Sequence, residues 1–202
     1  LSGSTTFFMF SFDFSQINKV LLSKLVFLHI FIITVSNYLV QFGHEFLGIK
    51  FTWGMFTFPL IVVLTDLTVR LSSQNIARSV VFLAFFPAFF ISTWITNPLI
   101  GIASAAAYLA GQTIDIFVFQ KIREKTDLWW VAPALSTIVA NTIDTYLFFF
   151  VAFSSSSDKF MASNWLEIAH TDLMFKVVVS ILIFLPLYGV LLSYLQKRIL
   201  NN

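Results

Sequence analysis

From Ser79 to Ile114 the chain carries no Lys, Arg, Asp or Glu. A water-soluble fold cannot hide so long an uncharged apolar run, whereas hydrocarbon accepts it, since about 20 apolar residues in a helix cross a bilayer. The run is too long for one crossing. Thr96-Asn97-Pro98 divides it, because proline disfavours helix at the residue before it. The two halves read as spans three and four, Ser79–Thr96 and Leu99–Gln120. The same reading gives Leu25–Gly43 as span one, Phe51–Leu71 as span two, Leu128–Phe153 as span five and Leu173–Gln196 as span six. The expected fold class is therefore an all-α integral membrane protein with six transmembrane helices. Residues 19–202 form one domain behind an N-terminal extension, 1–18. Phe7 to Phe12 is apolar but lacks a basic flank and an A-x-A-like cleavage site, so it does not read as a signal peptide.

Composition agrees with lipid as the solvent. Of 202 residues 58% are hydrophobic and only 11% charged, against about a quarter charged in soluble domains. With no cysteine, thiol catalysis, disulfides and cysteine metal sites are excluded. The net charge of +2 and the absence of a dense basic block argue against nucleic acid as a partner.

The basic residues orient the bundle. With the N-terminus inside, the inner side holds nine: Lys19, Lys24, Arg70, Arg78, Lys121, Arg123, Lys125, Lys197 and Arg198. The outer side holds Lys50 and Lys159, and Lys176 lies within span six. This is a strong positive-inside bias, and it places both ends on the inner side. Trp53, Trp94 and Trp165 fall near the outer boundary and Trp129-Trp130 at the inner one, as interfacial rings do.

An aspartate at mid-membrane costs about 2.5–3.5 kcal/mol on insertion scales and usually faces a cavity or partner. Here Asp66, Asp115, Asp144 and Lys176 lie within spans, with Asn37, Gln112 and Asn141. Three acids and one base do not close into ion pairs. Gln112 and Asp115 share one face of span four, and Asn141 and Asp144 repeat that spacing on span five. The segments 111–115 and 140–144 match as small residue, amide, Thr, Ile, Asp. Antiparallel neighbours would set the two pairs across one pocket. Ala103, Ala107 and Gly111 make a small-residue stripe that allows close approach.

Blander readings compete at several positions. Asp66 precedes Arg70 by four residues, the spacing of a surface ion pair. Lys176 can snorkel outward. Glu167, His170 and Asp172 crowd the segment before span six and read as an exposed amphipathic turn, not a metal site. His29 and His44 stand alone. No G-x-S-x-G, H-E-x-x-H or P-loop pattern is present, so neither enzyme chemistry nor a cofactor has support.

A carboxylate accepts two parallel N–H groups, and an amide offers one donor group and one acceptor. Together they suit a planar hydrogen-bonding solute, such as the edge of a guanine-like base. Phenylalanines, Tyr38 or Trp53 would sandwich its ring.

Several segments also resemble the VUT family. They include Ser36-Asn37-Tyr38-Leu39-Val40-Gln41, Thr52-Trp53-Gly54, Phe58-Pro59 and Thr65-Asp66-Leu67-Thr68-Val69-Arg70. The likeness continues in Tyr108 to Asp115, Asn141-Thr142-Ile143-Asp144, Trp165 to Ala169, Phe175-Lys176 and Leu185-Pro186-Leu187-Tyr188-Gly189. The resemblance implies a bacterial inner-membrane importer of queuosine precursors, 7-cyano-7-deazaguanine and its aminomethyl relative, which serve tRNA modification. The substrate-binding residues expected are Asn37, Asp66, Gln112, Asp115, Asn141, Asp144 and Lys176. The family in turn resembles the six-helix binding subunits of energy-coupling-factor vitamin importers, so a subunit awaiting ATPase partners is one alternative. An intramembrane enzyme is the other. The expected partners are a small molecule and membrane lipid, with a homodimer among the oligomeric states left open.

Overall fold

The computed structural model describes residues 19–39, 43–46, 49–96, 98–156 and 159–200, and the extension 1–18 lies outside them. Helix α1 runs Lys19–Leu39 and leads to two antiparallel strands, β1 (Gly43–Phe46) and β2 (Ile49–Thr52), which pair Gly43 with Thr52 and Phe46 with Ile49. One helical turn, α2 (Gly54–Thr57), precedes α3 (Pro59–Leu71). Then follow α4 (Gln74–Ile95), α5 (Pro98–Arg123), α6 (Val131–Phe153), α7 (Lys159–Val179), a π-helical turn (Ser180–Phe184) and α8 (Leu185–Leu200).

Six helical stretches are long and apolar enough to cross a membrane, the second being α2 with α3 and the sixth running from Met161 to Lys197. An even number of crossings returns the chain to the side on which it began. The break between spans three and four falls at the expected place. α4 ends at Ile95, and Pro98 opens α5, where its missing N–H costs nothing. Ser73 caps α4, its hydroxyl accepting the Ile76 N–H at 3.2 Å.

Two boundaries differ from the sequence reading. The hairpin takes Gly43 and Phe51 out of the flanking spans, because strands satisfy the backbone of this link without adding apolar length. The helix of span six begins at Lys159, well before Leu173. Its first turns are polar enough to escape a hydropathy reading, so Glu167, His170 and Asp172 are helical residues and not a turn.

The bundle is apolar outside, and its mostly hydrophobic core also encloses polar and charged side chains. Phe27, Phe31, Phe86, Phe90, Leu182 and Val190 are exposed, while Asp66, Asp115, Gln112 and Asn141 are buried. Trp53, Trp94, Trp129 and Trp130 are also exposed, as boundary rings should be. α5 makes the most extensive helix pairings, with α6 and α4. Gly111 permits the first: a Cβ there would lie 3.2 Å from Asp144 Cβ. Gly101 permits the second, where a Cβ would meet Thr93 of α4. α2 joins the far side of the bundle through Phe56 against Phe175, 5.5 Å between ring centres.

The π turn precedes Pro186, and it is closed by the Leu185 N–H donating to the Ser180 carbonyl. It widens span six where Ser180 and Phe184 turn inward.

Candidate functional site

α5 and α6 cross so closely at Gly111 that the polar residues of one helix reach the other. Between them and α3 lies a cavity lined by Phe58, Tyr108, Gln112, Asn141 and Asp144 among others. Each wall residue is held by its own element. The Thr65 hydroxyl on α3 donates to Gln112 Oε1, which leaves the amide nitrogen as a donor. Asn141 Nδ2 donates to Ser180 Oγ at 3.2 Å, which leaves its carbonyl oxygen as an acceptor. Asp144 completes the set with a carboxylate. The volume is about 10 Å³, room for one water and far from the roughly 300–1,000 Å³ of ligand pockets. The helices therefore pack closely around this site and leave no ligand-sized space.

Lys176 lies beside Asp144 and Phe58 of the cavity wall. Its ammonium lies 2.8 Å from Asp172, one turn back on α7, 3.7 Å from Asp144 and 3.1 Å from the Thr145 hydroxyl. It sits 5.3 Å from the centre of the Phe58 ring. At 6% exposure it does not snorkel. A buried cation needs anions around it, and Asp172 supplies the closest. That residue was missed because the polar start of α7 read as a turn, although its four-residue spacing from Lys176 was there to be used.

Asp66 and Asp115 form a separate layer further in. Asp66 is 1% exposed, so it is not half of a surface pair, and Arg70 donates instead to the Trp129 carbonyl at 3.1 Å. Asp66 faces Asp115 and Ser136, whose hydroxyl lies 3.4 Å from Asp66 Oδ1. Asp115 thus shares a helix face with Gln112, but it does not line the same cavity.

Asn37 stands apart from both layers. It donates to Ser92 and accepts from Ser104 at 3.1 Å, clamping α1, α4 and α5 together. His29 is buried too, paired with the Tyr108 hydroxyl at 3.1 Å. The aromatic rings at the cavity are Phe58 and Tyr108, whereas Tyr38 and Trp53 are exposed.

Six apolar helices thus surround a small cavity with polar side chains on its wall, and the chain is similar to known transporters. Over 86% of its length the chain is 43% identical to the "Queuosine precursor transporter" of Escherichia coli K12, covering 87% of that protein. The chain belongs to the VUT family of transporters. The family described as "Putative vitamin uptake transporter" matches residues 94–191, which include both wall helices of the cavity. A "Probable queuosine precursor transporter" of Haemophilus influenzae is 37% identical over 87% of the chain. One of the same name from Bacillus subtilis is 32% identical over 52%. No solved structure matches the chain. This VUT chain is a transporter and a multi-pass protein of the bacterial inner membrane.

Proposed function

We propose that this VUT transporter imports a 7-deazaguanine precursor of queuosine, 7-cyano-7-deazaguanine or its aminomethyl relative, and that the base binds between Gln112, Asn141 and Asp144. The observation that carries the reading is the convergence of these three side chains on one cavity. A guanine-type edge presents a ring N–H and an exocyclic amine side by side, next to a carbonyl oxygen. The Asp144 carboxylate accepts the two N–H groups, and the Gln112 amide nitrogen donates to the carbonyl. The Asn141 oxygen takes a further N–H. Phe58 and Tyr108 offer faces or edges to the ring.

Lys176 gates the outer side in this reading. An arriving base competes for Asp144, while Asp172 keeps the ammonium neutralised. Asn37 acts through packing alone. The names carried by the relatives support the choice of substrate.

The test is calorimetric binding of 7-cyano-7-deazaguanine to purified protein, beside guanine and queuine, with uptake of the labelled base into liposomes holding this chain alone. Binding of the deazaguanine with partner-free uptake is the expected result. Uptake that requires an added ATPase would instead make the chain an importer subunit. No binding would overturn the substrate.

A further inference from the structure

The acid layer inward of the cavity has more acceptors than donors. Asp66 and Asp115 bring four carboxyl oxygens together at 1% and 0% exposure. Their neighbours from each packed element are few. α6 contributes the Ser136 hydroxyl, which serves Asp66 and the Pro133 carbonyl. α8 contributes Tyr188, whose buried hydroxyl lies near Asp66 and Arg70. α3 itself contributes Arg70, bound to the Trp129 carbonyl, and α5 contributes Arg123, bound to the Val69 carbonyl at 3.2 Å. The same Ser136 hydroxyl is the neighbour of Asp115, but it is spent on Asp66 and Pro133, so both Asp115 oxygens are left without a hydrogen bond of their own among the described residues, and the ion pairs there are those of Lys176.

A buried carboxylate without donors is strongly unfavourable, and two facing carboxylates repel each other. A single proton held between the carboxyls removes both faults, because it cancels one charge and supplies the missing O–H donor.

We propose that Asp66 and Asp115 hold one exchangeable proton between them, and that this proton travels inward with each substrate molecule. The coupling rests on the substrate reading above, and its geometry lies in the joint between α3 and α5. Consecutive residues of α3 grip α5: Thr65 binds Gln112 in the cavity wall, and Asp66 meets Asp115 one turn further in. Parting α3 from α5 to admit a base therefore also uncovers the acids. A second small cavity, lined by Asp66, Thr137, Ser180 and Tyr188 among others, gives water-sized room beside Asp66. The step is association only: a carboxylate takes a proton from outer water, and the resulting carboxylic acid returns it to inner water.

The test uses the whole chain in liposomes loaded with a pH-sensitive dye and given 7-cyano-7-deazaguanine under an acid-outside gradient. We expect substrate to acidify the lumen and the gradient to drive accumulation. Asp115→Asn, which supplies a fixed N–H donor to Asp66, should keep binding and substrate exchange but lose both gradient effects. Asp66→Asn is the second variant should the first fold poorly. Infrared spectroscopy of the wild type at neutral pH should show a protonated-carboxyl stretch that disappears in the double variant. Absence of that band, or wild-type accumulation with no lumen acidification, overturns the proposal. Wild type that binds no deazaguanine would instead sink the substrate reading, and the infrared band would still judge the acid pair on its own.

Discussion

Asp144→Asn separates recognition from architecture. The two side chains have the same shape, so the tight crossing at Gly111, 3.2 Å from Asp144 Cβ, stays filled as before. Lys176 keeps Asp172 at 2.8 Å and Thr145 at 3.1 Å, and loses only its longer partner at 3.7 Å. The stability cost should stay well below the about 3–5 kcal/mol of stripping a buried charge of its partner. Binding should suffer much more. The base presents N–H groups where the variant presents its own NH2, so a charge-assisted hydrogen bond worth about 1.5–3 kcal/mol is lost. That corresponds to a roughly 10- to 150-fold weaker Kd for 7-cyano-7-deazaguanine, read by calorimetry on detergent-purified protein. Thermal unfolding of the same sample shows whether the bundle is intact. A folded variant that binds within about twofold of wild type would refute the assignment of Asp144 to the base.

Lys176→Met leaves Asp144 and Asp172 without a cation and should destabilise the bundle by about 3–5 kcal/mol in thermal unfolding. Adding Asp172→Asn should recover part of that loss. Gly111→Ala should be nearly neutral, since a helix-propensity gain of about 1 kcal/mol offsets the 3.2 Å contact. Gly111→Val has no such room and should lower the yield of monodisperse protein on gel filtration. A fluorescent protein fused after Asn202 should mature in the cytoplasm, and alkaline phosphatase inserted between β1 and β2 should be active outside. The opposite pattern would invert the orientation.

The number of spans and their order were legible in the sequence, and their direction is expected from it, because these are one-dimensional properties. Run length against bilayer thickness and the side on which each Lys or Arg lies need no knowledge of packing. Ser79 to Ile114 and the proline at its middle already required two helices. The cost of polar and ionisable groups in hydrocarbon likewise marked Gln112, Asp115, Asn141, Asp144 and Lys176 before any contact was known. Which of them meet was decided by tertiary structure. Gln112 and Asp115 differ in height by about 4.5 Å, three residues of helix rise. That step is enough to place one beside Asn141 and the other beside Asp66, which comes from a distant part of the chain. Asp172 was hidden because hydropathy finds apolar stretches, while the helix that carries it begins with polar residues. Spacing along a helix fixes which side chains share a face. Only the crossing of neighbouring helices fixes what that face encounters.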